Sequence, residues 1–91
     1  MLESEIETHF VWAVEMAGGK TWKTKALGQR GFPDRIACLP NGQMWFAELK
    51  APKGRLSKLQ QQFAADMAKL NQRYVNLWSK EQVDAWINRV R

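Results

Sequence analysis

With 91 residues, 45% of them apolar, and a formal net charge of +5, the chain reads as one globular domain over residues 1–91 with a modest core, not as a disordered segment. No run approaches the roughly 18 apolar residues of a membrane span, and the acidic, polar start Met1-Leu2-Glu3-Ser4-Glu5 is the opposite of a signal peptide. The basic balance favours a polyanion, nucleic acid ahead of a membrane surface, and a lone Cys38 in an apolar run fits a buried thiol in a reducing cytoplasm.

The first predicted element is a helix from about Leu2 to Ala17. On a wheel of about 100° per residue, Ile6, Phe10, Val14 and Ala17 share one side, flanked by Leu2 and Ala13. Glu3 falls between Phe10 and Val14, so one acid lies on the apolar face. At the helix start it would also favour the positive end of the dipole. Gly18-Gly19 ends the helix. Thr21 to Lys25 alternates as a strand does, and Ala26 to Gly31 reads as a basic, glycine-containing loop. Asp34 to Leu39 and Gln43 to Lys50 read as a hairpin around Pro40-Asn41-Gly42.

Ala51-Pro52-Lys53-Gly54 breaks the second hairpin strand. Ser57 opens a helix to about Asn71, with Leu59, Phe63, Met67 and Leu70 at helical spacing. Tyr74 to Trp78 is a predicted strand, and Ser79 caps a last helix to about Val90 that carries Val83, Trp86, Ile87 and Val90. Ser57-Lys58-Leu59-Gln60 and Ser79-Lys80-Glu81-Gln82 both have the capping-box form. The order α-β-β-β-α-β-α predicts a mixed sheet flanked by helices, of α/β or α+β type.

The hairpin register decides whether the chain holds a reactive site. If Pro40, Asn41 and Gly42 form a three-residue loop with Gly42 in the left-handed region, Leu39 pairs with Gln43 and Asp34 lies opposite Glu48. Side chains alternate along a strand, so Asp34, Glu48 and Lys50 then share a face. A two-residue Asn-Gly loop would set Asp34 against Leu49 and break the group. Two facing carboxylates in a half-buried sheet repel and lose solvation, and a hard divalent cation compensates both. Such a cation holds a phosphate oxygen and lowers the pKa of a bound water. Lys50 would position that water or balance charge on the phosphate.

Plainer readings stand beside these. Asp34 after Pro33 also suits a turn, and Glu48 and Lys50 also suit an exposed strand end. Gln60 suits a helix cap and His9 an ordinary surface or boundary position. The five tryptophans suit the core, although Trp22, in a basic strand, could stack on a base.

Pro33-Asp34, thirteen intervening residues and Glu48-Leu49-Lys50 resemble the PD-(D/E)xK nuclease motif. The longer run Gly31-Phe32-Pro33-Asp34-Arg35, Leu39-Pro40-Asn41-Gly42, Phe46 to Ser57 and Gln60, preceded by Glu3-Ser4-Glu5-Ile6, is similar to the VRR-NUC (virus-type replication-repair nuclease) domain in a standalone, phage-like form. The resemblance implies a restriction-endonuclease-like αβββαβα core and Mg²⁺- or Mn²⁺-dependent hydrolysis of DNA. Asp34 and Glu48 match the metal-binding acids, with the Leu49 carbonyl as a further ligand. Lys50 matches the catalytic lysine, Glu3 the acid of the first helix and Gln60 a glutamine near the site.

Lys23, Lys25, Arg30, Arg35, Lys53, Arg55 and Lys58 are the expected DNA contacts. By the same resemblance the partner is branched DNA, cut by a Holliday-junction-resolvase-like homodimer in the cytoplasm of a bacterial or phage-infected cell. Its interface is expected in the last helix or around Trp12, Trp45 and Trp86. A less selective duplex or flap nuclease, and a catalytically silent DNA-binding module of the same fold, are the alternatives.

Overall fold

The computed structural model describes residues 1–24 and 30–91. Three helices and four strands follow the expected order: α1 (Glu3–Met16), β1 (Lys20–Lys23), β2 (Arg35–Cys38), β3 (Met44–Leu49), α2 (Lys58–Lys69), β4 (Tyr74–Leu77) and α3 (Lys80–Val90). The strands form one mixed sheet in the order β1-β2-β3-β4. β1 and β3 flank β2 antiparallel, and β4 runs parallel to β3, with α2 as the crossover. The predicted first strand is shorter than expected, and Lys25 lies outside the described residues.

The β2–β3 hairpin takes the three-residue loop. Leu39 N–H donates to the Gln43 carbonyl at 2.8 Å, Gly42 N–H closes back on the Leu39 carbonyl at 3.0 Å, and Gly42 has φ +84°. That φ costs glycine nothing, because it has no Cβ to clash. The loop fixes Arg35 opposite Ala47 and Ile36 opposite Phe46.

Alternation then gives the sheet two unlike faces. On one face Ala37, Leu39, Ala47, Leu49 and Leu77 meet Ile6, Phe10 and Val14 of α1 and Val83, Trp86 and Ile87 of α3. This is the core. Trp86 stacks on Phe10 at 5.4 Å and takes the edge of Trp45 at 5.6 Å. The expectation that Trp45 and Trp86 line a protein interface is therefore corrected: Trp86 is 1% exposed and Trp45 packs against it, which leaves Trp12 as the exposed member of the three. His9 joins α1 to α3 by a 2.7 Å bond to Asp84 and stacks on Trp12.

The opposite face is covered by α2 through a smaller aromatic group. Phe63 meets Phe32, Phe46 and Tyr74 with ring centroids 4.9–5.9 Å apart. The two edge-on pairs, with Phe32 and Phe46, each add about 0.5–1.5 kcal/mol beyond their burial. Gly31 presses directly on this helix. It has φ +82°, and a Cβ there would come within 2.7 Å of Leu59 Cβ and 2.8 Å of the Leu59 backbone. Only glycine permits that approach. The contact sets the start of α2 against the segment that leads into β2.

Both predicted helix caps form, with one difference. At α2 the Ser57 hydroxyl accepts the Gln60 N–H at 3.1 Å and the Gln60 side chain accepts the Ser57 N–H at 2.8 Å. At α3 the Ser79 hydroxyl accepts the Gln82 N–H, but the Gln82 side chain reaches one residue further back, to the Trp78 N–H. Trp78, the last residue of the predicted strand, is thereby tied into the helix start.

Candidate active site

The acids meet because the hairpin register carries one step past the β2–β3 ladder, which a proline ends. Continuing the register one step beyond Arg35 and Ala47 sets Asp34 beside Glu48, and a second step sets Pro33 beside Leu49. Pro33 is buried and has no N–H, so it has nothing to donate to the Leu49 carbonyl opposite. The Leu49 N–H is not left open either: it donates to Asp34 Oδ2 at 2.8 Å. The Asp34 side chain thus replaces a rung of the ladder, and the Leu49 carbonyl beside it is spared one. From the other side Thr24 steadies the segment. Its N–H donates to the Asp34 carbonyl at 3.1 Å and its hydroxyl donates to the Pro33 carbonyl.

Glu48 is 2% exposed. Its Oε2 accepts a hydrogen bond from Gln60 Nε2 at 3.1 Å and lies 3.8 Å from Lys50 Nζ. Its Oε1 is buried without a partner among the described residues. Burial is the main reason its carboxyl is pushed up from 4.5 to about 8. The charge of Asp34 pushes the same way, as does that of Glu3, while Lys50 opposes them. Without a cation, therefore, Glu48 keeps a proton far above the ordinary carboxylate range.

A hard divalent cation fits this donor set. Two adjacent carboxylates and a carbonyl spared its ladder bond are oxygen ligands of the required kind, and the partnerless Oε1 is the atom that most needs a positive neighbour. No group of three His, Cys, Asp or Glu side chains gathers anywhere among the described residues, so the side-chain share of the site is two acids.

Gln60 joins two roles in one residue. Its backbone and side-chain oxygen complete the α2 cap, and its side-chain nitrogen holds Glu48. Lys50 stands on the same face, two residues beyond Glu48. The loop after β3 folds back over it, where the Gly54 carbonyl accepts Trp78 Nε1 at 2.9 Å. Lys53 and Arg55 are exposed on this return, and Lys58 is exposed at the start of α2.

Four expected members stand apart from the acids. Glu3 is the first residue of α1 and exposed, so the apolar wheel does not bury it, and it reaches Glu48 only through space. Lys23 and Arg35 pair with each other in the β1–β2 register and point to the α1 face, opposite Asp34. Side-chain alternation requires this, because each is one residue out of phase with the acids. Arg35 is committed there to Glu7, Nε to Oε2 at 2.8 Å. Arg30 is exposed ahead of Gly31.

Two residues near the acids carry no local sequence signal. Tyr74 and Asn76 of β4 share the face of Phe46 and Glu48, with Asn76 directly beside Glu48. The Tyr74 hydroxyl donates to Asn76 Oδ1 at 2.7 Å. Burial, followed by the charges of Glu48 and Asp34, raises the Tyr74 pKa well above its usual value, so it stays a donor. Period-two alternation could have assigned the pair to one face. Only the parallel register, set by the α2 crossover, brings that face to Glu48.

No family model matches the chain. A solved structure described as "VRR_NUC domain" superposes with a TM-score of 0.89 at 26% identity, covering 98% of this chain and 97% of that one. "Putative nuclease p44" of Acyrthosiphon pisum secondary endosymbiont phage 1 is 48% identical over 50 residues, which are 55% of this chain and 54% of the relative. The chain thus spans about half the length of the curated relative it matches. The mixed four-stranded sheet with three helices is the restriction-endonuclease-like fold of a VRR-NUC domain, as the sequence resemblance implied.

Proposed function

We propose that this VRR-NUC-type domain is a divalent-metal-dependent endonuclease that hydrolyses DNA phosphodiester bonds. The observation that carries the reading is Glu48, buried beside Asp34 with one carboxylate oxygen that has no partner among the described residues. A scaffold gains little from such a pair, because apolar side chains of similar volume at Glu48 would spare its desolvation. A DNA-binding module has less use still, since the acids repel the phosphates. The chain's likeness to a phage protein named as a nuclease supports the same direction.

In this reading Asp34, Glu48 and the Leu49 carbonyl hold Mg²⁺ or Mn²⁺. When bound, the ion supplies Lewis-acid stabilisation of the phosphate and acidifies a coordinated water. Gln60 fixes the Glu48 carboxylate in the orientation that ligation needs. Lys50, with its ammonium 3.8 Å from Glu48, balances negative charge that develops on the phosphate and orients the attacking water. Lys53, Arg55 and Lys58 track the DNA backbone beside it and contribute affinity without reading sequence. Glu3 adds negative field at the edge of the site.

The finer reading is a homodimer that cuts branched DNA. Exposed Trp12 and Met16 on α1, 55% and 66% accessible, offer apolar surface to a second copy. A domain of this size suits recognition by shape through backbone contacts. The test is cleavage of labelled four-way junction, flap, linear duplex and single strand with Mg²⁺, Mn²⁺ or EDTA. Paired symmetric cuts in the junction, lost with EDTA, are the expected result. Equal cutting of every substrate removes the branched-DNA reading, and no metal-dependent cutting of any substrate removes the nuclease.

A further inference from the structure

Asp34, Glu48 and Asn76 form one row across three adjacent strands, because the antiparallel register sets Asp34 beside Glu48 and the parallel register sets Asn76 on its other flank. Neighbouring strands lie about 4.8 Å apart. The flanks differ in chemistry: an acid on one side, a neutral amide on the other. A positively charged side chain in place of Asn76 would neutralise Glu48 and compete with a cation for it. An amide does neither, yet it brings two N–H donors.

The orientation of that amide is set from behind. Tyr74 lies one step back on the same strand face and donates its hydroxyl to Asn76 Oδ1. With Glu48 ionised, as it is when it holds a cation, the reverse orientation would turn Oδ1 toward its carboxylate, where two acceptors repel. Phenol on one side and carboxylate on the other therefore agree on the same placement, with the Asn76 N–H groups on the side of the acids. Among the described residues only the Oδ1 of this amide has a partner, and the residue is partly accessible.

We propose that Asn76 is a substrate-contacting residue that donates to a non-bridging oxygen of the DNA phosphate lying over Glu48, and that Tyr74 is the positioning residue that aims it. The proposal rests on the nuclease reading and names a phosphate contact within that site. It gives the site a sidedness: Asp34 and Glu48 would hold a cation on one flank, and Asn76 would receive the phosphate on the other. Lys50, on the same face and just past the end of β3, supplies the charge that the neutral amide does not.

The test compares Asn76→Ala and Tyr74→Phe with the wild-type chain on two readouts, kcat/KM for DNA cleavage with Mg²⁺ and DNA affinity by fluorescence anisotropy with Ca²⁺. Calorimetric titration with Mn²⁺ and a thermal melt accompany both. Loss of one hydrogen bond to a charged oxygen predicts a ten- to hundredfold fall in kcat/KM for Asn76→Ala, and a several-fold fall in DNA affinity. Mn²⁺ affinity stays within twofold. Tyr74→Phe keeps the amide and loses its aim, so its cleavage falls by a smaller factor in the same direction. Unchanged DNA affinity and cleavage in a folded Asn76→Ala overturn the proposal. A fall in Mn²⁺ affinity matching the loss of cleavage also overturns it, because Asn76 would then be supporting Glu48 instead of the phosphate. If the wild-type chain cuts nothing, the nuclease reading fails, and the affinity arm still decides the phosphate contact.

Discussion

Replacing Glu48 by glutamine should make the metal-free chain more stable at high pH, although it removes the central residue of the candidate site. The unfolded chain releases the Glu48 proton near 4.5, whereas the folded chain keeps it to about 8. Between those values the folded state binds more protons than the unfolded one, so wild-type stability falls as pH rises and levels off above about 8. Each pH unit in the window is worth about 1.4 kcal/mol, which gives a ceiling of about 5 kcal/mol. Solvent relaxation around a paired site reduces that to a few kcal/mol. Glutamine has nearly the same shape, its carbonyl still accepts from Gln60, and its amide can donate to Asp34. Thermal unfolding in EDTA from pH 5 to pH 9 measures the effect, at about 4–8 °C per kcal/mol for a domain of this size. The Glu48→Gln chain should melt at least about 8 °C above wild type at pH 9 and close to it at pH 5. A difference that does not grow with pH would refute the account of Glu48 as a buried acid awaiting a cation.

Asp34→Ala should abolish metal-dependent cleavage while the chain stays folded; the lost bond to the Leu49 N–H costs about 1–3 kcal/mol, read by chemical denaturation. Gly31→Ala should destabilise by at least about 2 kcal/mol and weaken cleavage with it, since the added Cβ pushes Leu59, and with it Gln60, away from the sheet. An unchanged melt for Gly31→Ala would mean that α2 is not seated against that loop.

The element order was legible because each segment carries its own signal: the 3.6 period with a glycine pair after α1, capping serines before α2 and α3, and Pro40-Asn41-Gly42 between β2 and β3. Turn chemistry narrowed the hairpin register to a three-residue or a two-residue loop, and the structure takes the three-residue loop that sets Asp34 beside Glu48. What lies across long sequence separations was not legible. The seating of Asn76 beside Glu48 depends on a crossover, and the Arg35–Glu7 pair depends on how α1 crosses the sheet. Lys23 and Arg35 were grouped with the acids by charge and proximity in sequence, and the period of two separated them. The helix wheel placed Glu3 on the apolar face, but a wheel assumes helix on both sides of a residue, and α1 begins at Glu3.

Gln60 makes the local stability of one helix turn a property of the site. The amide that holds Glu48 belongs to the side chain whose oxygen caps Ser57, so fraying of the first turn of α2 releases the carboxylate in the same event. Hydrogen exchange at the Ser57 and Gln60 amides is then a clock for how often the site comes apart. A ligand that fixes Glu48 slows that clock without touching the helix itself, and a change in the α2 cap is felt at the acids as a change in the fraction of time they are held.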